Sequence, residues 1–478
     1  MSAPTDLRVA HLASEVVPFS KTGGLADVVG ALPAAQAELG ARVTIVAPAH
    51  RPQLAEPPAG ARSGELTVMG LRATLYRGKH RGCEVVLIDC PPLFARPSPY
   101  GLNDGDYPDN PIRFAFFVRA ALAALGSSGG TDIVHAHDWQ AALAPLLLRE
   151  DDSLPPEIAA AQSVLTVHNL AYQGLFGPWA MAACELPARL FHPGCLEFYG
   201  QVNFLKGGLV AAGAITTVSP TYASEILTPD FGCRLEGVLA DRRSSLVGIV
   251  NGLDLAAWDP ASDRHLPVTY NASSAAAGKA AARKALAAEA ALLPGERPLA
   301  GMVSRLAEQK GADLLAAAVE EIVAQGFDLV VLGTGDRKYE ELLQAAELAH
   351  PGRVKLFLRF DEGLAHRIYA GSDLFLMPSR YEPCGLGQMI AMRYGTLPVV
   401  HRTGGLADTV TDAASACGTG FVFAELTPAA LVAALARARE TLRHPRRLAE
   451  LRRHGMGRDF SWAASAREYL ELYDRLVG

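Results

Sequence analysis

Short, nearly unbroken apolar runs recur along the chain at residues 7–13, 43–47, 85–88, 133–136, 164–167 and 214–218, with stretches of helical apolar spacing among them. Runs without polar alternation predict strands buried on both faces, the mark of parallel sheets covered by helices. The first strand, a glycine corner at Gly23-Gly24, a helical pattern through Leu39 and the strand over 43–47 follow βαβ grammar. After residues 248–252 the texture changes, because Trp258-Asp259-Pro260 and a polar stretch to Ser274 interrupt the pattern. A second set of runs follows at 299–303, 329–332, 354–357, 374–377 and 397–400, with a helical pattern over 312–325 among them.

These patterns predict an α/β fold of two Rossmann-like, doubly wound domains, residues 1–250 and 251–461. Residues 462–478 form a last helix expected to pack back on the first domain. In open parallel sheets the ligand binds at the carboxyl ends of the strands, so residues just after each run are the candidates.

A length of 478 residues suits two large domains, and half the chain is hydrophobic with a fifth charged, which excludes disorder as the dominant state. A net charge of −6 argues against nucleic acid or an anionic membrane as partner, so any anion site is a local cluster of bases. The seven cysteines are scattered, odd in number and without C-x-x-C spacing, which points to a reducing compartment. The start MSAPTDLRVAHLASE reads as a first strand rather than a signal peptide, and no run is long enough to span a bilayer; the expectation is cytoplasmic.

One echo stands out. KTGGLADVV at 21–29 returns as RTGGLADTV at 402–410, each placing a base, a hydroxyl and two glycines before a helical pattern. Backbone N–H groups at such a start can face an anion. One corner alone reads as a glycine turn that starts a helix; a pair headed by bases predicts two lobes gripping one phosphorylated ligand. The run 299–303 leads to Arg305 and Lys310, a planar fork and a point charge suited to a diphosphate, and 374–377 leads to Glu382 in a loop punctuated by proline and glycine. His135, His137 and His168 sit at strand ends of the first domain, but no acid or cysteine ligand spacing accompanies them, and no metal is expected. Asp104-Gly105-Asp106 lies in a loop of biased composition and reads as coincidence; Gly333-Thr334-Gly335 is half a dinucleotide fingerprint, with Lys338 where the third glycine belongs.

The ordered series KTGGLADVVGALP, YPDN, HAHDW, LTVHNLAYQG, VSPTYASEI, GIVNGLDLAAWDP, SRLAEQKG, LGTGD, SRYEPCGL and RTGGLADTV resembles bacterial glycogen synthases and plant starch synthases over most of the chain. The resemblance implies a GT-B fold, with an acceptor-side first domain and a nucleotide-sugar second domain around a closing cleft. It implies transfer of glucose from ADP-glucose to the non-reducing end of an α-1,4-glucan such as glycogen, with retention and without a cofactor. It implies catalytic roles for Lys21, His168, Arg305, Lys310 and Glu382. Donor contacts are expected from Gly24, Asp138, Asn169, Asn251, Cys384, Gly385, Leu386, Thr403, Gly404 and Gly405. Tyr100, Tyr172 and Gln173 are glucan contacts or, equally, packing residues. Gly387 replaces the usual hydroxyl residue after EPCGL, and Gln140 the usual histidine after HDW. An inactive glucan-binding regulator and a glucosyltransferase with a small acceptor are the alternative readings.

Overall fold

Apolar runs without alternation become central strands because both of their faces are covered, and nearly every residue of Ile133–His137 and Gln162–Val167 is buried. A computed structural model describes residues 7–50, 62–102 and 105–478; Asp104 of the D-x-D string lies outside them. The chain divides into two compact units, Met1–Gly252 with Trp462–Gly478, and Leu253–Ser461.

The first unit is built on a nine-stranded sheet. From one edge it runs Leu246–Gly248, Ala214–Thr217, Gln162–Val167, Ile133–His137, Arg8–Leu12, Arg42–Pro48 and Cys83–Asp89, all parallel. The antiparallel pair Leu71–His80 and Arg62–Val68 closes the other edge through a turn at Met69-Gly70, where both residues have positive φ. The chain builds outward from Arg8–Leu12 in one direction, then restarts at Ile133–His137 and builds in the other, so a crevice opens beyond the carboxyl ends of those two strands. The last helix, Trp462–Val477, buries Trp462, Tyr469, Leu470 and Tyr473 in the same core as Val28, Val29 and Leu32 of the helix Gly24–Glu38.

The second unit has a six-stranded parallel sheet in the order Val354–Phe357, Asp328–Leu332, Leu299–Val303, Leu374–Met377, Leu397–His401, Phe421–Phe423. Its own reversal of direction lies between Leu299–Val303 and Leu374–Met377. Among the described residues no helix is long and apolar enough to cross a membrane.

Candidate active site

In the first unit the chain leaves Arg8–Leu12 through Ser14 and Glu15 at the crevice. Glu15 is buried, and its carboxylate accepts from the Thr22 amide, the Thr22 hydroxyl at 2.9 Å, the Tyr100 hydroxyl at 2.9 Å and the Gly23 amide. Burial raises its pKa above the ordinary range, and these donors pull it back. The first glycine corner therefore already faces an anion of its own chain. This corrects the expectation of a bare corner: the amides of Thr22 and Gly23 are taken, and Gly24 is the first glycine whose amide has no partner among the described residues. Sequence reasoning missed Glu15, which no spacing rule connects to Thr22 and Tyr100. Lys21 Nζ pairs with Asp27 at 2.7 Å, but both side chains are well exposed, and such a pair contributes about 1 kcal/mol or less. It is easily exchanged for a stronger anion.

From the neighbouring strand comes Asp138, held at a φ of 55° as the first residue of a short helix. Its Oδ1 accepts the His168 amide at 2.7 Å, and the Asn169 amide also donates to it; burial raises this carboxyl to about 7. The carboxylate thus holds the 168–169 backbone instead of standing bare toward a sugar. Asn169 Oδ1 accepts the Ala171 amide at 3.1 Å, fixing the turn into Tyr172, whose ring is more than half exposed. The other two candidate glucan contacts are committed within the protein. The Tyr100 hydroxyl is engaged by Glu15 and Ser14, and the Gln173 amide accepts from Asn203 at 2.7 Å while donating to the Cys233 carbonyl at 3.0 Å. Asn251 is buried, and among the described residues its Oδ1 has no partner, an orphan acceptor at the end of this unit.

The histidines form a buried stack. His11 meets Gln36 and His137, His137 meets His168, and His135 meets Tyr473 and Thr166, so both ring nitrogens of His11, His135 and His137 have protein partners. Their ligand atoms lie within 4.8 Å of one another, but a cation there would have to break this chain of hydrogen bonds. Burial pushes His11 down to about 4 and His168 to about 3, so the rings are neutral.

In the second unit, Gly311 has a φ of 69°, and a Cβ there would lie 2.0 Å from the Pro378 carbonyl oxygen. Only glycine permits this approach, which lays the loop after Leu299–Val303 against the loop after Leu374–Met377. Across the contact Lys310 Nζ reaches Glu382 Oε2 at 2.6 Å, and the Ser379 hydroxyl donates to the same oxygen at 3.0 Å. Arg305 is exposed, its guanidinium 3.3 Å from Gln309 Oε1 and without a carboxylate partner among the described residues. A cavity of about 130 Å³ opens here, lined by Ser304, Lys310, Tyr369, Glu382, Gly385 and Leu386.

The backbone of Cys384 and Gly385 is pinned from behind: Gln388 Nε2 donates to both carbonyls, at 3.0 and 2.8 Å, and to Thr409 Oγ1 at 3.0 Å. Gln388 is a supporting residue the sequence reading missed; its signal was a lone amide in the buried run 388–392. Thr403 is buried at the start of Gly404–Thr409. The Gly405 amide donates to the carbonyls of Glu382 at 3.0 Å and Pro383 at 3.2 Å, so it is spent on the loop and is not a free donor for phosphate. That corrects the expectation for Gly405, because the turn packs directly beneath the Glu382 loop.

The family model described as the starch synthase catalytic domain matches residues 8–241, and that of glycosyl transferases group 1 matches 284–454. A glycogen synthase of Anaeromyxobacter dehalogenans (strain 2CP-C) is 49% identical over 477 residues, covering 98% of this chain and all of the relative. The chain belongs to the glycogen synthase family. A second member, from Geotalea daltonii, is 46% identical over 481 residues, with 98% of this chain and 99% of the relative covered. The solved catalytic domain of starch synthase IV from Arabidopsis thaliana, bound to ADP and acarbose, superposes with a TM-score of 0.89 at 34% identity, covering 98% and 99% of the two chains. Sucrose-phosphate synthase from Thermosynechococcus elongatus, at 20% identity, 98% and 99% coverage and a TM-score of 0.61, shares the fold. The fold is GT-B, built from two Rossmann-like units. Within the glycogen synthase framework Gly387 has a local reason: a Cβ there would meet the Phe375 ring at 3.0 Å, so the ring fills the space of a larger residue. Gln140 is buried, and its Oε1 has no partner among the described residues.

Proposed function

We propose that this chain transfers glucose from ADP-glucose to the non-reducing end of an α-1,4-glucan, glycogen being the natural acceptor, with retention of configuration. Breaking the C1–O bond separates charge, negative on the diphosphate and positive on the sugar, so stabilisation belongs on the leaving group. The observation that carries the reading is Arg305, an exposed guanidinium free of any described carboxylate, in the same loop as Lys310, which pairs with Glu382 at the sheet's reversal point. Arg305 and Lys310 take the diphosphate, with Lys21 and the Gly24 amide adding to it when the site is complete. Each charge-assisted contact contributes about 1.5 to 3 kcal/mol net. Cationic side chains then do the work a divalent metal would do, and no cofactor is needed.

Retention through a covalent intermediate needs a free carboxylate opposite the leaving group. Glu382 Oε2 already accepts from Lys310 and Ser379, which suits holding sugar hydroxyls and not attack at C1. The reading is same-face attack, with the leaving phosphate oxygen accepting the acceptor's proton. Cys384, Gly385 and Leu386 shape the glucose cavity, Thr403 and Gly404 support it, and His168 and Asn169 contribute to donor binding. Tyr172 offers an exposed ring to the glucan, and Asn251 offers its orphan oxygen to the donor.

The test is incorporation of radiolabelled glucose into glycogen from ADP-glucose, run beside UDP-glucose and with fructose and glucose 6-phosphate as alternative acceptors. Incorporation into glycogen, faster from ADP-glucose, is expected. Binding of glycogen without incorporation, or transfer only to a small acceptor, would overturn the reading.

A further inference from the structure

A continuous line of buried hydrogen bonds runs from the last helix to His168, and its polarity can be read atom by atom. Gln36 lies in Gly24–Glu38, fully buried; its Nε2 donates to the Tyr473 hydroxyl oxygen at 3.1 Å and its Oε1 stands 2.7 Å from His11 Nε2. An amide oxygen only accepts, so the His11 proton sits on Nε2 and Nδ1 carries a lone pair. That lone pair faces His137 Nε2 at 3.0 Å, which must be the protonated nitrogen of a neutral ring. The bare Nδ1 of His137 then faces His168 Nε2 at 3.0 Å, which places the His168 proton there.

The branch through Tyr473 takes its polarity from the same amide. Having accepted from Gln36, the hydroxyl donates to His135 Nδ1 at 2.6 Å; His135 Nε2 donates to Thr166 Oγ1 at 2.5 Å, and Thr166 passes its proton to Thr216 Oγ1 at 2.5 Å. Burial keeps all four imidazoles uncharged, so each has one donor and one acceptor to spend. Turning over the single amide of Gln36 would reverse every proton along the line and move the His168 proton to Nδ1.

We infer that Gln36, acting through His11 and His137, is a positioning residue that fixes His168 as the Nε2–H tautomer and leaves Nδ1 as the ring's only acceptor. No described residue hydrogen-bonds to that Nδ1. The consequence rests on the proposed function: His168 accepts a hydrogen bond from a ligand hydroxyl at Nδ1 and does not donate to a ligand oxygen.

The experiment uses full-length, ligand-free protein labelled with ¹⁵N-histidine, with the His168 signals assigned by their loss in His168→Asn. Two-bond proton–nitrogen correlations are expected to show His168 protonated on Nε2; a proton on Nδ1 overturns the proposal. In Gln36→Leu the tautomer is expected to become mixed and kcat to fall about tenfold, with KM for ADP-glucose little changed. Gln36→Glu keeps an acceptor for His11 and should restore the wild-type tautomer and most of kcat. An unchanged tautomer in Gln36→Leu removes the positioning role. Should Gln36→Leu not fold, the wild-type and Gln36→Glu spectra decide, a proton on Nδ1 in either being the refuting result. The tautomer is read without turnover, so a wild-type protein that fails to label glycogen sinks the functional reading and leaves this one standing.

Discussion

The two TGG corners share seven of nine letters in their surroundings and have opposite physics. At Gly404 and Gly405 a Cβ would lie 2.1 Å from the Glu382 carbonyl oxygen and 2.0 Å from that of Cys384, and Gly404 has a φ of 42°. Glycine there is demanded by the protein's own backbone. Among the described residues a Cβ at Gly23 or Gly24 would meet nothing within 4 Å, and Gly23 is extended at a φ of −149°, a conformation any residue adopts. No described residue of the first unit requires glycine at that corner. Identical letters therefore mark close backbone packing in one unit and empty space in the other, and the reason for the empty space is to be sought in a ligand.

The units also differ in how they store ionisable groups, and acid should separate them with the largest effect. In the first unit burial drives His11 and His50 down to about 4 and His168 to about 3, with His135 and His137 also well below 6.5. A base whose folded pKa is depressed stabilises the fold above its unfolded value and loses that contribution as pH falls, here from about 6.5 toward 3–4. For His11, His50 and His168 the shift corresponds to on the order of 3 kcal/mol each when fully expressed. Asp138 and Glu15 are shifted up and oppose the trend, since a raised carboxyl favours the fold at low pH, but the histidines outnumber them. In the second unit Asp263, where hydrogen bonds from Tyr394, the His265 amide and His366 outweigh burial, and Asp412, held by Arg437 and two amides against burial, are lowered; their contribution is lost only below about 3.8. Hydrogen exchange between pH 7 and 4 is expected to show the first unit opening before the second. Simultaneous opening, or the reverse order, breaks this contrast.

Next in size is Gly405→Ala. The methyl must displace the Cys384 carbonyl, and overpacking of this kind costs about 3 kcal/mol. Thermal unfolding should fall by several degrees, and kcat by more than about a hundredfold, because the same movement carries Glu382 away from Lys310. A variant with unchanged melting and turnover would mean the second corner is as open as the first.

How much of this could be read from the letters follows the same physics. Strands buried on both faces, such as Ile133–His137 and Leu329 to Leu332 within Asp328–Leu332, announce themselves as apolar runs. The hairpin Arg62–Val68 with Leu71–His80 does not, since it carries many exposed polar residues and turns at Met-Gly in place of Asn-Gly. Charged residues after strand ends were legible as candidates, and two of them, Lys310 and Glu382, meet at 2.6 Å, whereas the Arg305 guanidinium reaches Gln309 in its own loop. Supporting contacts were not. Gln36 acts through His11 and Tyr473 and Glu15 in part through Tyr100, partners that only the folded sheet order brings near, while Gln388 reaches back three and four residues to Gly385 and Cys384; the spent amides of Thr22, Gly23 and Gly405 depend on carbonyl and carboxylate positions that no local pattern encodes.

Lys21→Ala probes the first corner's charge. The Lys21–Asp27 pair is too exposed for its loss to move stability by more than about 0.5 kcal/mol, so melting should be unchanged. If Lys21 contacts the diphosphate, kcat/KM for ADP-glucose drops by roughly ten- to a hundredfold, the worth of one charge-assisted hydrogen bond. Full activity would confine diphosphate binding to the second unit and turn the echo between the corners into a shared way of starting a helix.

Gly24→Ala has the smallest expected effect and divides the two corners most cleanly. Residue 24 opens the helix Gly24–Glu38 with open space around it, so an alanine is accommodated and the helix gains up to about 0.5 kcal/mol. Melting should rise slightly, the opposite of Gly405→Ala. A diphosphate approaching the Gly24 amide would meet the new methyl, which raises KM for ADP-glucose a few-fold and leaves the fold intact. Saturation kinetics beside a melting curve tests both halves: higher KM with higher melting assigns the empty space to the ligand, whereas unmoved KM means the amide is not approached and the first corner serves only to begin its helix.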